Sequence, residues 1–418
     1  MANPEIVEAL RTAITQKIPF CTGIVPIEPG RTTQLFYKDR ERPGWLDLSR
    51  ASEKDLNALA SACEPATFSR NNQDVLDESY RKARQMDPEN FATKLDVDKL
   101  GIVDRVREQL LEGPDQEKAV NAELYKLNVY GKDAFSKSHK DTPRGENMFG
   151  SLVVVFPTPH DGGALVLRHF DQEWTFDSAA IFRQQAEPSI AYIAFYSDID
   201  HEVAVVKSGY RVTLTYNLYL DPRKEVFLRS PLPVKPVGPD EERLRAAFAS
   251  ALSDPSFLPD GGYLGFGLHF KYPISRAATK PPETVLKGSD AVLYHACRKL
   301  SLKASLNAVY DADGVQVLVQ PSERLDSDVQ YEDAIAQVLL DECGGRVIQE
   351  YGSEKIPVDE YGNKYNEVIK LVWVTPLTGY CTFSSSYIAY WNEPTSATVY
   401  GDLCIAVEVG PFGKRKTI

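Results

Sequence analysis

Apolar residues recur at helical spacing in only a few stretches of the first 120 residues. Ile6, Ala9, Leu10, Ala13 and Ile14 predict a helix over residues 4–17. Residues 18–50 read as extended, with Pro29-Gly30 and Pro43-Gly44 marking turns. Ser52 followed by Asp55 is a capping-box pattern, with acceptors ready for free N–H groups, and predicts a helix to about Cys63. Val103, Val106, Leu110 and Leu111 predict another over residues 98–111, stopped by Gly113-Pro114.

The period then changes. Leu124, Tyr125, Leu127, Val129 and Tyr130 begin a β-prone region that continues through residues 151–156, 163–169, 173–176, 190–196 and 210–219. Many short strands with few helices between them predict a double-sheet barrel or jelly roll rather than a βαβ sheet. With helices packed on one face, this makes an α+β domain. Pro222 and the proline-rich run 231–239 mark a boundary. Beyond it, helices are expected at 240–252, 289–300 and 331–343, and strands at 264–272, 315–319, 367–374 and 402–409. The chain thus divides into a helical and extended part over 1–120 that supports the barrel, a β-rich core over 121–222, and a mixed α/β C-terminal domain over 240–418.

A chain of 418 residues accommodates two domains. The net charge of −12, with Lys414-Arg415-Lys416 as the sole basic cluster, argues against nucleic acid as a partner. The first residues lack a secretory signal pattern, and no apolar run is long enough to span a bilayer, which points to a cytoplasmic or nuclear protein without a membrane partner. Cys21, Cys63, Cys297, Cys343, Cys381 and Cys404 are scattered without a CxxC pair and read as buried, reduced thiols.

The candidate chemistry lies in and beside the β-rich core. His139 and Asp141 stand two apart, so an extended backbone aims both side chains to one side. His201, after the apolar run 190–196, is the best-placed third ligand. Two imidazoles and one carboxylate on one face leave a metal's other positions open to reactants, the arrangement of non-haem iron(II) oxygenases. Arg211 lies inside a strongly β-prone run, where its charge would be buried without explanation unless an anion meets it there. A dicarboxylate such as 2-oxoglutarate explains it: one end goes to the metal, and the other needs a bidentate cation. Thr213, on the same face, and Tyr130, on the strand leading to His139, are candidate hydroxyl donors to that carboxylate.

The residues His139-x-Asp141 and His201-x-Val203-x-x-Val206-x-x-Gly209-x-Arg211 resemble the iron(II)/2-oxoglutarate dioxygenases, in particular the prolyl 4-hydroxylase-like branch. The likeness covers about residues 120–220, and the chain as a whole resembles uncharacterised fungal members. It implies a double-stranded β-helix core. It also implies Fe(II) held by His139, Asp141 and His201, and 2-oxoglutarate anchored by Arg211. O2 is the second co-substrate, with ascorbate an accessory in such enzymes. The implied reaction is hydroxylation of an unactivated C–H bond with release of succinate and CO2, on a peptidyl or free amino acid such as proline, or on a small metabolite.

Blander readings stand beside these. His139 and Asp141 also suit a solvated turn, Arg211 a barrel salt bridge, and Thr213 and Tyr130 plain strand positions. His160, in Pro159-His160-Asp161-Gly162, reads as an exposed turn residue. His169 competes as third ligand but lacks the downstream arginine. Arg144 and Asn147 could face a substrate but suit a surface loop, and Trp174 suits the barrel wall. His269 and His295 have no Asp two residues on. The same fold also permits a non-catalytic sensor or scaffold that binds metal or 2-oxoglutarate, and a halogenase, against which Asp141 speaks.

Overall fold

The computed structural model describes residues 3–14, 17–28, 30–39, 42–70, 73–142, 144–145, 147–225, 239–272, 286–321, 328–330, 335–359, 361–390 and 394–415. Contacts divide the chain into two compact units, Ile18–Phe227 and Met1–Lys17 with Leu228–Ile418. Most of the proline-rich run expected to separate domains lies outside the described residues.

Helix α1, Pro4–Ala13, starts with Pro4 in its first turn and with the Asn3 side chain accepting from Glu5 N–H. Its buried Leu10 and Ala13 and its contacts tie it to the helix Pro239–Ser253 and the strand Val368–Thr375. Arg11 Nε donates to Val374 O at 2.7 Å. Residues 1–17 therefore belong with the C-terminal unit, which corrects their assignment to the support of the barrel. An amphipathic helix shows in its sequence that it needs an apolar partner, but not which one.

Two antiparallel sheets make the core of the unit Ile18–Phe227. Eight strands follow one another: β1 Lys118–Tyr130, β2 Phe135–His139, β3 Met148–Val155, β4 Leu165–His169, β5 Gln172–Phe176, β6 Ser189–Tyr196, β7 Asp200–Val203 and β8 Arg211–Glu225. One sheet carries them in the order β6-β3-β8-β1, and the other in the order β5-β4-β7-β2. This alternation of strands between two sheets is a jelly roll. The first sheet is widened by Phe20–Pro26 beside β6 and by short strands of residues 64–65 and 84–86 beyond β1. The polar stretch Lys137-Ser138-His139-Lys140 could pass for a turn, but its first three residues belong to β2, a strand paired with β7.

The pleat sorts side chains between two surfaces. Leu127, Val129, Leu152, Val154, Val212, Leu214 and Leu218 are fully buried on the sheet face that points away from the space between the sheets. Helix α2, Glu53–Ala62, has the complete capping box of Ser52 and Asp55. Helix α3, Ile102–Leu110, buries Ile102, Val103, Val106 and Leu110 and contacts β1 and Phe20–Pro26. The Tyr196 hydroxyl donates to Leu110 O at the end of that helix. All eight residues of β6 are buried, as its unbroken apolar run requires of a strand covered on both faces. The opposite face of β1, β3 and β8 is largely polar.

In the C-terminal unit an eight-stranded sheet mixes parallel and antiparallel pairings. Its long last strand, Pro394–Val409, pairs with Lys303–Ala312 and also with Gly262–Gly267, which closes six of the strands into a ring. Val309, Leu318, Ile348, Leu371, Cys404 and Ala406 pack together in its core. The strand expected over 264–272 runs Gly262–Gly267, and of the helix expected over 331–343 the part Ile335–Asp341 forms, residues 331–334 lying outside the described set.

Truncating Leu214 to Ala removes a fully buried side chain from the covered face of β8. It should cost roughly 2–5 kcal/mol, the range for such core truncations. In urea unfolding of the whole protein, the midpoint of the transition of this unit should fall while its slope stays unchanged.

Candidate active site

His139 ends β2 and faces His201 of β7 directly across an antiparallel pair. That one register places the two imidazoles with centroids 4.3 Å apart. Asp141, two residues past His139, lies with its Oδ1 3.7 Å from His201 Nε2, beyond hydrogen-bonding distance. One ligand atom from each of the three lies within 4.8 Å of the others, and among the described residues no other cluster of His, Cys, Asp and Glu has this compactness.

Neighbouring groups orient all three. His139 Nδ1 lies 2.8 Å from Lys137 O, and His201 Nδ1 lies 3.1 Å from Ile199 O. A carbonyl only accepts, so each Nδ1 carries the proton and each Nε2 keeps its lone pair. The Ser151 hydroxyl donates to Asp141 Oδ2 at 2.5 Å, and Asp141 N–H donates to Ser197 O at 3.1 Å. The Phe195 ring lies 4.8 Å from that of His201. Burial and then the neighbouring His201 hold the His139 pKa down to about 4, so this ring is neutral at physiological pH and free to bind a cation.

The three side chains line a cavity of about 500 Å³ between the two sheets. At its wall lies Arg211, 1% exposed, with Nε and Nη2 buried and without a hydrogen-bond partner among the described residues. Its guanidinium carbon sits 5.6 Å from the Tyr130 ring centroid, Tyr130 being its direct cross-strand neighbour. Burial brings the Arg211 pKa down to about 10, so it stays charged near neutrality. Thr213 lies two residues on, buried and facing the same cavity. Gly209 makes this placement possible. It turns the chain at φ +70°, and a Cβ there would lie 2.1 Å from Pro159 O.

The other candidates fall elsewhere. His160 is not an exposed turn residue: it is half-buried, with Nδ1 2.7 Å from Thr158 O and Nε2 3.1 Å from Ser178 Oγ, away from the cavity. His169 stacks edge-on with Phe170 at the β4–β5 turn. Trp174 packs edge-on against Phe20. Arg144 is exposed at the cavity's edge and donates to the Tyr125 hydroxyl at 2.5 Å, whereas Asn147 does not line it. Asn128, Thr215, Asn217, Ser151 and Arg81 also line the cavity without having been singled out from sequence. Alternation carries the signal for most of them. Asn128 is two residues from Tyr130 on β1, and Thr215 and Asn217 continue the row of Arg211 and Thr213 on β8. Nothing in the sequence marks Arg81, which reaches the cavity from a separate edge strand paired with β2.

Residues 125–219 match the family model described as the 2OG-Fe(II) oxygenase superfamily. This stretch, about a quarter of the chain, holds β2 to β7, the last six residues of β1 and most of β8, and with them all the residues of the His-Asp-His cluster and Arg211. The match is of this stretch and its cluster, and the protein is an oxidoreductase of the dioxygenase class that uses Fe(II), 2-oxoglutarate and O2. Among curated proteins none matches. Of the solved structures, a prolyl-4-hydroxylase from Pseudomonas putida is 17% identical, covering 52% of this chain and 100% of its own, with a TM-score of 0.30. A prolyl hydroxylase in complex with a hypoxia inducible factor oxygen degradation domain peptide fragment, from Trichoplax adhaerens, is 13% identical, covering 51% and 89%, with a TM-score of 0.31. A 2OG-Fe(II) oxygenase family oxidoreductase from Burkholderia pseudomallei is 17% identical over 40% and 78%, with a TM-score of 0.25. At such TM-scores the jelly roll rests on the strand order and the matching family model.

Replacing Gly209 by Ala forces a β-carbon into a left-handed backbone position against Pro159 O. The conformation alone costs roughly 1–2 kcal/mol and the collision adds to it. Thermal unfolding should shift to lower temperature, and titration should show weakened 2-oxoglutarate binding because Arg211 is two residues away.

Proposed function

We propose that His139, Asp141 and His201 hold Fe(II) and that Arg211, with Thr213 and Tyr130, holds the far carboxylate of 2-oxoglutarate. The protein would hydroxylate an unactivated C–H bond of a peptidyl or free amino acid such as proline, or of a small metabolite, with release of succinate and CO2. The single observation behind this reading is the buried Arg211 charge, which meets no carboxylate among the described residues and faces the cavity that holds the His-Asp-His cluster.

The donor set suits the metal. Two Nε2 lone pairs and one carboxylate oxygen lie on one side of the cavity, the composition expected for iron(II) with open positions. Bound iron supplies the activation of O2 and the oxidation of the C–H bond. The protein's own groups do the rest. The Lys137 and Ile199 carbonyls fix the histidine tautomers, and Ser151 fixes the carboxylate rotamer. Arg211 meets a dicarboxylate with Nε and Nη2, two nitrogens without a partner among the described residues, and Thr213 adds a hydroxyl on the same wall. The walls of the jelly roll limit the access of water to the reacting groups. In this reading the chemistry belongs to the core over 121–222, and residues from 240 onward contribute no ligand.

Asp141→Ala should abolish Fe(II) binding and succinate formation while the circular dichroism spectrum stays that of the wild type; His160→Ala and His169→Ala should bind iron as the wild type does. Iron binding that survives in Asp141→Ala would mean the metal is held elsewhere.

Arg211→Ala leaves the far carboxylate desolvated and unpaired, a cost of roughly 3–5 kcal/mol. That corresponds to a loss of about 10²–10³-fold or more in 2-oxoglutarate affinity. Iron affinity should change little, and Arg211→Lys should be intermediate because it keeps the charge and loses the fork. An anaerobic titration of the iron-loaded protein with 2-oxoglutarate, followed by its charge-transfer absorption, measures both. Unaltered affinity in Arg211→Ala would remove the basis for this anchor.

A further inference from the structure

The cavity is strongly cationic in a chain whose net charge is −12. Arg81, Lys126, Lys140, Arg144 and Arg211 line it, against the two carboxylates of Asp77 and Asp141. Two of these cations are already matched: Lys126 Nζ lies 2.6 Å from Asp87, and Lys140 Nζ lies 3.3 Å from Asp200. Among the described residues, Arg81, Arg144 and Arg211 have no carboxylate partner. Arg211 is accounted for by 2-oxoglutarate, and Asp141 by the metal.

Arg81 is the informative one. Its Nη1 donates to Thr67 O at 3.0 Å and its Nη2 to Asn128 Oδ1 at 2.9 Å. Asn128 is itself held, its amide donating to Thr215 Oγ1 at 3.1 Å. Neutral acceptors thus clamp the guanidinium in one orientation and, among the described residues, leave its charge uncompensated and its buried Nε without a partner. A half-buried charge held rigid and unpaired is unfavourable unless an anion completes it. Arg144 lies toward solvent on the same cavity, stacked 4.5 Å over the Tyr125 ring and bonded to its hydroxyl. A cavity of about 500 Å³ has room for a second molecule beside a five-carbon diacid.

We infer that the primary substrate carries a carboxylate, received by Arg81 within the cavity and steered to it by Arg144 at the edge. This deepens the proposed function and rests on its assignment of Arg211 to 2-oxoglutarate. It selects acidic amino-acid units and carboxylated small molecules over neutral ones. Arg81 and Arg144 are specificity-determining groups in this reading, with no part in oxidation.

The test uses the full-length protein loaded anaerobically with Fe(II) and 2-oxoglutarate. The probes are acetylated amino acids and short peptides in matched pairs, each acid with its own amide, and binding is measured by calorimetry. Acids should bind at least tenfold more tightly than their amides, the order expected of a charge-assisted hydrogen bond. Added salt should narrow the gap, and Arg81→Gln should abolish it. Arg144→Gln should slow association of the acids more than it speeds their release. The inference is overturned if no acid outbinds its amide, whether both bind or neither does, or if Arg81→Gln keeps the preference. It is also overturned if Arg81→Gln weakens 2-oxoglutarate itself as much as Arg211→Ala does, since Arg81 would then serve the co-substrate. Failure of the parent reading looks different: Arg211→Ala would hold 2-oxoglutarate as tightly as the wild type.

Discussion

A guanidinium buried in the wall of a jelly roll is the constraint to which the rest of this unit answers. Arg211 is 1% exposed, and two of its nitrogens have no hydrogen-bond partner among the described residues. Such a group is expensive to desolvate, and an apolar core would have no use for it. The sheets reconcile its presence with stability by turning their apolar face outward. Leu127, Val154, Val212 and Leu214 are buried on the covered face, where helix α3 contributes Val103, Val106 and Leu110 to the packing of the unit. The space between the sheets is left polar. Stability and chemistry are thus carried on opposite faces of the same strands, which the two-residue period of a strand makes possible.

The cluster of His139, Asp141 and His201 depends on a second constraint, the register of β2 against β7. A slip of one residue would turn His201 to the other face of its sheet. Several features hold the arrangement. β7 is flanked on both sides, by β2 and by β4, and Asp141 is tied by its backbone to Ser197 and by its side chain to Ser151. These last two contacts tie the cluster, whose histidines stand on the second sheet, to the first. The three groups of the cluster are therefore preorganised by ordinary sheet pairing and a few hydrogen bonds, with no positive-φ residue among them.

The charge around the cavity gives the site a direction. Lys126 and Lys140 are neutralised by Asp87 and Asp200, so their contribution to the field is small. Arg81 and Arg144 are not, and with Arg211 they make an anion-accepting interior in an acidic protein. An overall negative charge does not exclude small anions, because a local field follows the nearest charges and not the total.

By itself the sequence determined the class of protein. The period change after residue 120, His139-x-Asp141, His201 and the Gly209-x-Arg211 pair were all legible, because strand alternation and turn chemistry are local properties. The capping box at Ser52 and the buried run of β6 were legible for the same reason. The tertiary structure decided what depends on distant partners. It assigned α1 to the C-terminal unit, since an amphipathic face does not name the surface it covers. It made a paired strand of β2, whose polar residues conceal it until β7 lies alongside. It brought Arg81 to the cavity from an edge strand far from the motif, and showed that its hydrogen bonds are to neutral groups. Whether a charge is compensated depends on which groups surround it in space, and a linear pattern carries no record of that.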